Sequence, residues 1–205
     1  KMDVGTLRAL IRKTTFATSL SESRMILTGV SFNIDGRKLE VVATDSFRLS
    51  KKFMFFDTEH SLSVVIPARS LDELNKIFDD SETMVEIHFT PTKALFKYKN
   101  LLFQTRLIDG TYPNTSNLIP TDFLTSLRFN KAELISAIER ASLFATYDSA
   151  NIIKLTIHSD KTVEIASTNN EIGAVKEEII PLECTNAMDF QIAFSSKYLL
   201  EALKS

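Results

Sequence analysis

The sequence of 205 residues contains one cysteine, three histidines, five glycines and no tryptophan. A single thiol, Cys184, excludes an intramolecular disulfide and fits a reducing compartment, so we expect a cytoplasmic protein. Cys184 has no His or Cys beside it, and His60, His88 and His158 stand apart along the chain, which argues against a metal site. The few glycines form no phosphate-binding loop. The sequence therefore predicts no catalytic residues, no metal and no cofactor.

Long apolar runs are also missing, because none approaches the roughly 18 residues that a membrane-spanning helix needs. We therefore expect no membrane partner. Lys and Arg total 24 against 26 Asp and Glu, a net charge of −2, so the overall charge gives no sign of a nucleic-acid partner. A basic face can still exist within such a balance. The chain starts at Lys1 instead of Met, and we expect it to be part of a longer protein.

An internal repeat is the strongest feature of the sequence. In the first copy, Asp3 can cap a helix with an apolar stripe, and a second helix over 68–78 follows Pro67. Asp35-Gly36 is a strong signal for a hairpin between two strands. The apolar stripes are Val4, Leu7, Leu10 and Ile11 in the first helix, and Leu71, Leu74, Ile77 and Phe78 in the second. The strand patterns cover 24–34, 38–44, 48–56, 62–66, 83–89, 93–99 and 101–108.

The second copy follows a loop rich in Gly, Pro, Asn, Ser and Thr at 109–122. Asn130 and Glu133 form a capping-box pattern before a helix over 131–144, and Ser195 can cap a last helix. A short strand is predicted at 126–129, and longer ones at 152–159, 161–169, 171–179 and 188–194. The fold class is therefore α+β, with two helices and several strands in each copy. The second copy has no counterpart to the last three strands of the first, and we expect it to be truncated.

The stretch VVATDSFRLS, residues 41–50, raises the main functional question. Asp45 and Ser46 favour a tight turn, because short polar side chains bond their own backbone. A large aromatic residue, Phe47, then follows at once with Arg48 and Leu49. Taken alone, this pattern favours a plain hairpin whose apolar residues belong to the core.

Several segments together resemble the bacterial sliding clamp, the beta subunit of DNA polymerase III. They are ILTGVSF and LEVVATDSFRLS, then VVIPARSL, then FQTRLIDGTYPNTSNLIP. The resemblance implies repeated clamp domains, each with two helices packed on antiparallel curved sheets. It implies a middle domain at 1–120, an incomplete C-terminal domain at 121–205, and no N-terminal domain. It also implies a homodimeric ring of the full-length protein that slides on double-stranded DNA, without enzymatic activity of its own.

The same resemblance implies a hydrophobic groove in which the replicative polymerase, the clamp loader and repair proteins insert a short peptide. Carried over by position, the groove residues are Leu27, Thr44, Ser46, Phe47, Arg48, Leu49, Pro113, Asn117 and Leu118. A hydrophobic slot with a few polar groups suits an extended peptide. With the resemblance, the groove is favoured over the plain hairpin.

Holding DNA without reading its sequence needs Lys and Arg that contact phosphates. The candidates are Arg8, Arg12, Lys13, Arg24, Arg69, Lys76, Lys131, Arg140 and Lys197. Acidic residues share the same helices, so composition alone supports this assignment weakly. Two other classes stay open, namely an enzyme with an unfamiliar site and a structural or protein-interaction domain without a DNA role.

Overall fold

The computed structural model describes residues 1–55, 61–79, 82–145, 151–169 and 173–205. Within them the chain forms two compact units, one of residues 1–114 and one of residues 115–204. Both units combine helices with antiparallel sheets, which confirms the α+β prediction. Phe56 and residues 171–172, which the patterns also assigned to strands, lie outside the described residues.

The first unit holds two four-stranded sheets and two helices. One sheet has the order β4-β3-β2-β5 and the other β1-β6-β7-β8, and neighbours are antiparallel. Helices α1 and α2 pack together beside them. The elements are β1 (Met2–Asp3), α1 (Val4–Arg12), β2 (Gly29–Asp35), β3 (Lys38–Thr44), β4 (Leu49–Phe55), β5 (Leu62–Pro67), α2 (Ala68–Ile77), β6 (Met84–Phe89), β7 (Lys93–Tyr98) and β8 (Leu101–Arg106).

The second unit repeats the strand order of the first. Its four-stranded sheet runs β12-β11-β10-β14, and a separate pair joins β13 to β9. Strands β10, β11, β12 and β14 thus take the places of β2, β3, β4 and β5, which confirms the internal repeat. The elements are β9 (Ser126–Arg128), α3 (Lys131–Ala145), β10 (Ile152–Ile157), β11 (Val163–Asn169), β12 (Gly173–Ile179), β13 (Glu183–Thr185), β14 (Phe190–Ser195) and α4 (Ser196–Lys204).

Local signals explain where the helices begin and which side they bury. The Asp3 carboxylate accepts the backbone N–H of Thr6 at 2.7 Å, as a helix cap does. All four residues of the predicted α1 stripe are buried in the core of the first unit. In α3, the Asn130 side chain accepts the N–H groups of Ala132 and Glu133. Each unit therefore has its own apolar core, as the sequence pattern requires.

The structure corrects two details of the sequence interpretation. Residues 24–28 were predicted as strand, but Glu22–Thr28 form 3₁₀ turns that the Ser21 hydroxyl caps by accepting the N–H of Ser23. Ile77 was placed on the buried side of α2, but its side chain is 37% exposed, while Leu71, Leu74 and Phe78 are buried. The short strands β1 and β13 were not predicted at all, because two or three residues carry no readable alternation.

Candidate functional site

The turn between β3 and β4 is held by the side chain of Thr44. Its hydroxyl donates a hydrogen bond to the carbonyl of Arg48 at 2.6 Å and accepts one from the N–H of Ser46 at 3.1 Å. Only 6% of Thr44 is exposed, so water competes little for these bonds. Thr44 and Leu49 are directly opposite each other in the antiparallel pair. The buried hydroxyl of Thr44 therefore stabilises the turn through two hydrogen bonds.

Asp45 fixes the same turn from the other side. Its carboxylate accepts the N–H groups of Phe47 and Arg48, both at 2.9 Å, and pairs with the Arg48 guanidinium at 3.0 Å. That guanidinium also lies 5.6 Å from the ring centre of Phe16. Ser46 has a φ of 80°, a left-handed conformation that residues other than glycine adopt at a cost. The Arg48 side chain thus helps to hold the turn, which several side-chain hydrogen bonds stabilise.

A long-range hydrogen bond connects this turn to the segment that follows β8. The backbone N–H of Thr44 donates to the hydroxyl of Tyr112 at 3.0 Å, across 68 positions of sequence. Burial raises the pKa of Tyr112 to about 12, so the phenol stays protonated well above neutral pH. Pro113 follows Tyr112 directly, and it is exposed. The structure therefore brings Pro113 into the neighbourhood of the turn, within one unit.

The remaining groove candidates differ in how far they are open to solvent. Phe47 is 82% exposed, an unusual state for a large aromatic side chain. Leu49 is half-buried, and Leu27 is buried at the end of the 3₁₀ segment. Asn117 and Leu118 are exposed and belong to the second unit. Thr44, Ser46, Phe47, Arg48 and Leu49 thus lie together in one turn.

Sequence reasoning missed Tyr112, although it singled out the segment DGTYP that contains it. The sequence feature that could have pointed to Tyr112 is a tyrosine next to a proline, just after a predicted strand. Its partner in the fold could not be known from spacing, because the bond joins two segments that are far apart in the chain.

The basic candidates divide into exposed and already paired residues. Lys76 contacts Glu73 and Arg140 contacts Glu177, at 2.8 and 2.9 Å, so their charges are partly neutralised. Arg8 is half-buried, and its Nε donates to the Asn75 side chain at 3.3 Å. Lys13 is exposed, but its ammonium donates to the carbonyl of Ser205. The other exposed candidates are Arg12, Arg24, Arg69, Lys131 and Lys197.

One further charged cluster lies in the first unit. The Asp79 carboxylate, just after α2, accepts the Lys99 ammonium at 2.7 Å and also the Tyr98 hydroxyl. These two bonds lower the pKa of Asp79 to about 2, and the bond from Lys99 has the larger effect. The cluster connects the end of α2 to the turn between β7 and β8 and has a structural role.

The described part of the chain contains neither a cluster of metal ligands nor a membrane-spanning helix. Among those residues, no three His, Cys, Asp or Glu side chains come together as a metal site would require. Within the same residues, no helix combines the length and the apolar character needed to cross a membrane.

Comparison with known proteins identifies the class to which this fold and turn belong. Family models described as the central and the C-terminal domain of the DNA polymerase III beta subunit match residues 1–114 and 116–205. The chain is 45% identical over 200 residues to the beta sliding clamp of Bacillus subtilis, covering 97% of this chain and 53% of that one. It is 40% identical to the Staphylococcus aureus beta sliding clamp, covering 100% and 54% of the two chains.

Solved structures agree with the sequence comparison. The crystal structure of the Bacillus subtilis sliding clamp superposes with a TM-score of 0.94 at 44% identity, covering 99% of this chain and 54% of that chain. The beta chain of DNA polymerase III from Streptococcus pneumoniae gives the same TM-score at 40% identity. The chain belongs to the DNA polymerase III beta subunit family, the bacterial sliding clamps. It spans about half the length of the relatives it matches.

Proposed function

We propose that this chain forms part of a sliding clamp, the processivity factor that keeps a replicative DNA polymerase on its template. Its first unit would be the middle domain and its second unit the C-terminal domain. Two copies of the full-length protein would close into a ring around duplex DNA in the cytoplasm, without catalysis by the ring itself. Family membership and the hydrogen-bonded turn of residues 44–49 support this proposal.

The turn supplies what a peptide-binding wall needs. Hydrogen bonds from Thr44 and Asp45 fix its backbone before a ligand arrives, so little conformational entropy is lost on binding. Phe47 offers a large exposed apolar surface. Leu49 belongs to the same turn, and the bond between Thr44 and Tyr112 connects Pro113 to that turn. Leu27, being buried, would support the wall from within the core. Asn117 and Leu118, which belong to the second unit, stay a prediction from the sequence. The hydrogen-bonded turn of residues 44–49 is the observation that carries the proposal.

The test is the affinity for a labelled peptide taken from the clamp-binding segment of a bacterial replicative polymerase. Leu49→Ala and Pro113→Ala should each weaken binding by about 1 to 2 kcal/mol, the loss typical of a residue at the centre of an interface. Leu62→Ala is a matched control, because Leu62 is also half-buried and also starts an edge strand of the same sheet. Pro91→Ala, in the exposed turn between β6 and β7, is the control for the proline.

Circular dichroism must show that all four variants are folded. Unchanged affinity of the Leu49 and Pro113 variants, or an equal loss in the two controls, would exclude this groove. Griselimycin is a second probe, because a sliding clamp from Pseudomonas aeruginosa has been solved bound to it. Its binding should respond to the same substitutions.

The DNA-holding role rests on a separate set of basic residues. We infer that the exposed residues Arg12, Arg24, Arg69, Lys131 and Lys197 contact phosphates. Arg8, Lys13, Lys76 and Arg140 contribute less because their side chains are already bonded. Such contacts carry no sequence information, and their affinity falls as salt rises. Anisotropy measurements with duplexes of unrelated sequence should give equal affinities. Binding of the peptide without any DNA binding at low salt would instead favour a protein-interaction domain.

A further inference from the structure

Tyr112 belongs neither to the buried core nor to the exposed wall of the groove. It is half-buried, and its hydroxyl accepts the N–H of Thr44 at 3.0 Å. Thr44 is the last residue of β3, where the chain leaves the sheet for the turn. A buried backbone N–H without a partner costs about 1 to 3 kcal/mol, so this bond has to be supplied by some neighbour. A phenylalanine would fill the same space but could not supply it.

The bond joins the two segments that the peptide groove requires. On one side, Thr44 closes the turn through its own hydroxyl, with bonds to Ser46 and Arg48. On the other side, Tyr112 is bonded covalently to Pro113. The tyrosine therefore connects the turn to the proline through one hydrogen bond and one peptide unit.

We propose that Tyr112 is a positioning residue of the peptide-binding site, which fixes Pro113 relative to the 44–49 turn through its hydrogen bond to Thr44. This inference rests on the proposed function, since it assigns a role within the same groove. Tyr112 does not contact the peptide itself. It keeps Pro113 and the 44–49 turn in a fixed relative position, so that the groove has its peptide-binding shape before the peptide arrives.

A second tyrosine in the same unit provides a matched control. Tyr98 is buried, packs its ring against Phe78 with centroids 5.1 Å apart, and donates its hydroxyl to Asp79. Tyr112→Phe and Tyr98→Phe both remove one oxygen and one hydrogen bond. Both are expected to lower thermal stability. Only the first removes a bond that joins the two parts of the groove.

The binding experiment compares the two variants with the parent chain. By fluorescence anisotropy, Tyr112→Phe should bind the polymerase-derived peptide about fivefold more weakly, the effect of one net hydrogen bond. Tyr98→Phe should bind it with the affinity of the parent. Equal losses in both variants would mean that the tyrosine only contributes to general stability, and unchanged affinity in Tyr112→Phe would also overturn the proposal.

Hydrogen exchange separates this inference from the proposed function. The amide of Thr44 should exchange about fivefold faster in Tyr112→Phe, because its acceptor is gone, and at the parent rate in Tyr98→Phe. If the parent chain binds no peptide, the proposed function fails, and with it the groove role of Tyr112. If the peptide binds but the Thr44 amide exchanges at the same rate in all three proteins, the positioning role alone is overturned.

Discussion

Replacing Thr44 by valine tests whether one hydroxyl organises the turn. Valine has nearly the same shape, so the substitution removes the hydrogen bonds without opening a cavity. Two bonds are lost, one to the carbonyl of Arg48 at 2.6 Å and one from the amide of Ser46 at 3.1 Å. Each contributes about 0.5 to 1.5 kcal/mol net, which gives about 1 to 3 kcal/mol together. Ser46 is exposed, so its amide can bond to water, and we expect about 1 to 2 kcal/mol.

Urea unfolding measures the loss of stability, and peptide titration measures the effect on the groove. Thr18→Val is the control, because Thr18 is 7% exposed against 6% for Thr44 and donates its hydroxyl to the carbonyl of Thr15 at 2.8 Å. Both variants should lose stability, and Thr44→Val alone should bind the peptide more weakly. Equal affinity of the two variants would show that the wall does not depend on the turn, and the reasoning would be refuted.

Three further predictions concern Ser46 in the same turn, the Asp79 cluster and the basic residues. Ser46→Val should destabilise the first unit by more than about 1 kcal/mol in urea unfolding, because a β-branched residue tolerates a φ of 80° poorly, whereas Ser46→Gly should be tolerated. A neighbouring ammonium group holds the pKa of Asp79 at about 2, below its ordinary 3.8. Its stabilising contribution is therefore complete above about pH 4 and lost as the pH falls toward 2, so acid unfolding curves of Asp79→Asn and the parent should converge at low pH. Arg12→Ala should lower the salt slope of DNA binding by about one, Arg140→Ala by less, and Glu177→Ala should strengthen binding by releasing Arg140.

Helix α1 was predictable because its signals are local. A capping aspartate and four apolar residues at helical spacing determine where it begins and which side is buried, and both agree with the structure. Residues 24–28 show the opposite case. Their apolar run resembles a strand, yet a serine cap starts 3₁₀ turns, and Arg24 lies at the kink between them with φ −125° and ψ 78°. Short turns of this kind depend on capping bonds that an apolar pattern does not reveal.

The candidate site was predictable only in part, for a similar reason. The turn at 44–49 follows from Asp45 and Ser46, whose side chains favour turns, and its Asp–Arg pair is local as well. The bond between Thr44 and Tyr112 is not local, and no spacing rule connects positions 68 residues apart. Phe47 is exposed and Leu27 is buried. This difference also depends on side-chain packing in the folded unit, which the sequence pattern does not show.

Mapping the bound peptide onto the chain by NMR tests the central claim most directly. Amide resonances of an isotopically labelled chain would be followed while the polymerase-derived peptide is added. We predict that the largest shifts fall on residues 44–49 and on Tyr112, and that they are reduced in Leu49→Ala. Saturable shifts confined to any other surface, with residues 44–49 unaffected, would contradict the assignment of this turn as the peptide-binding wall.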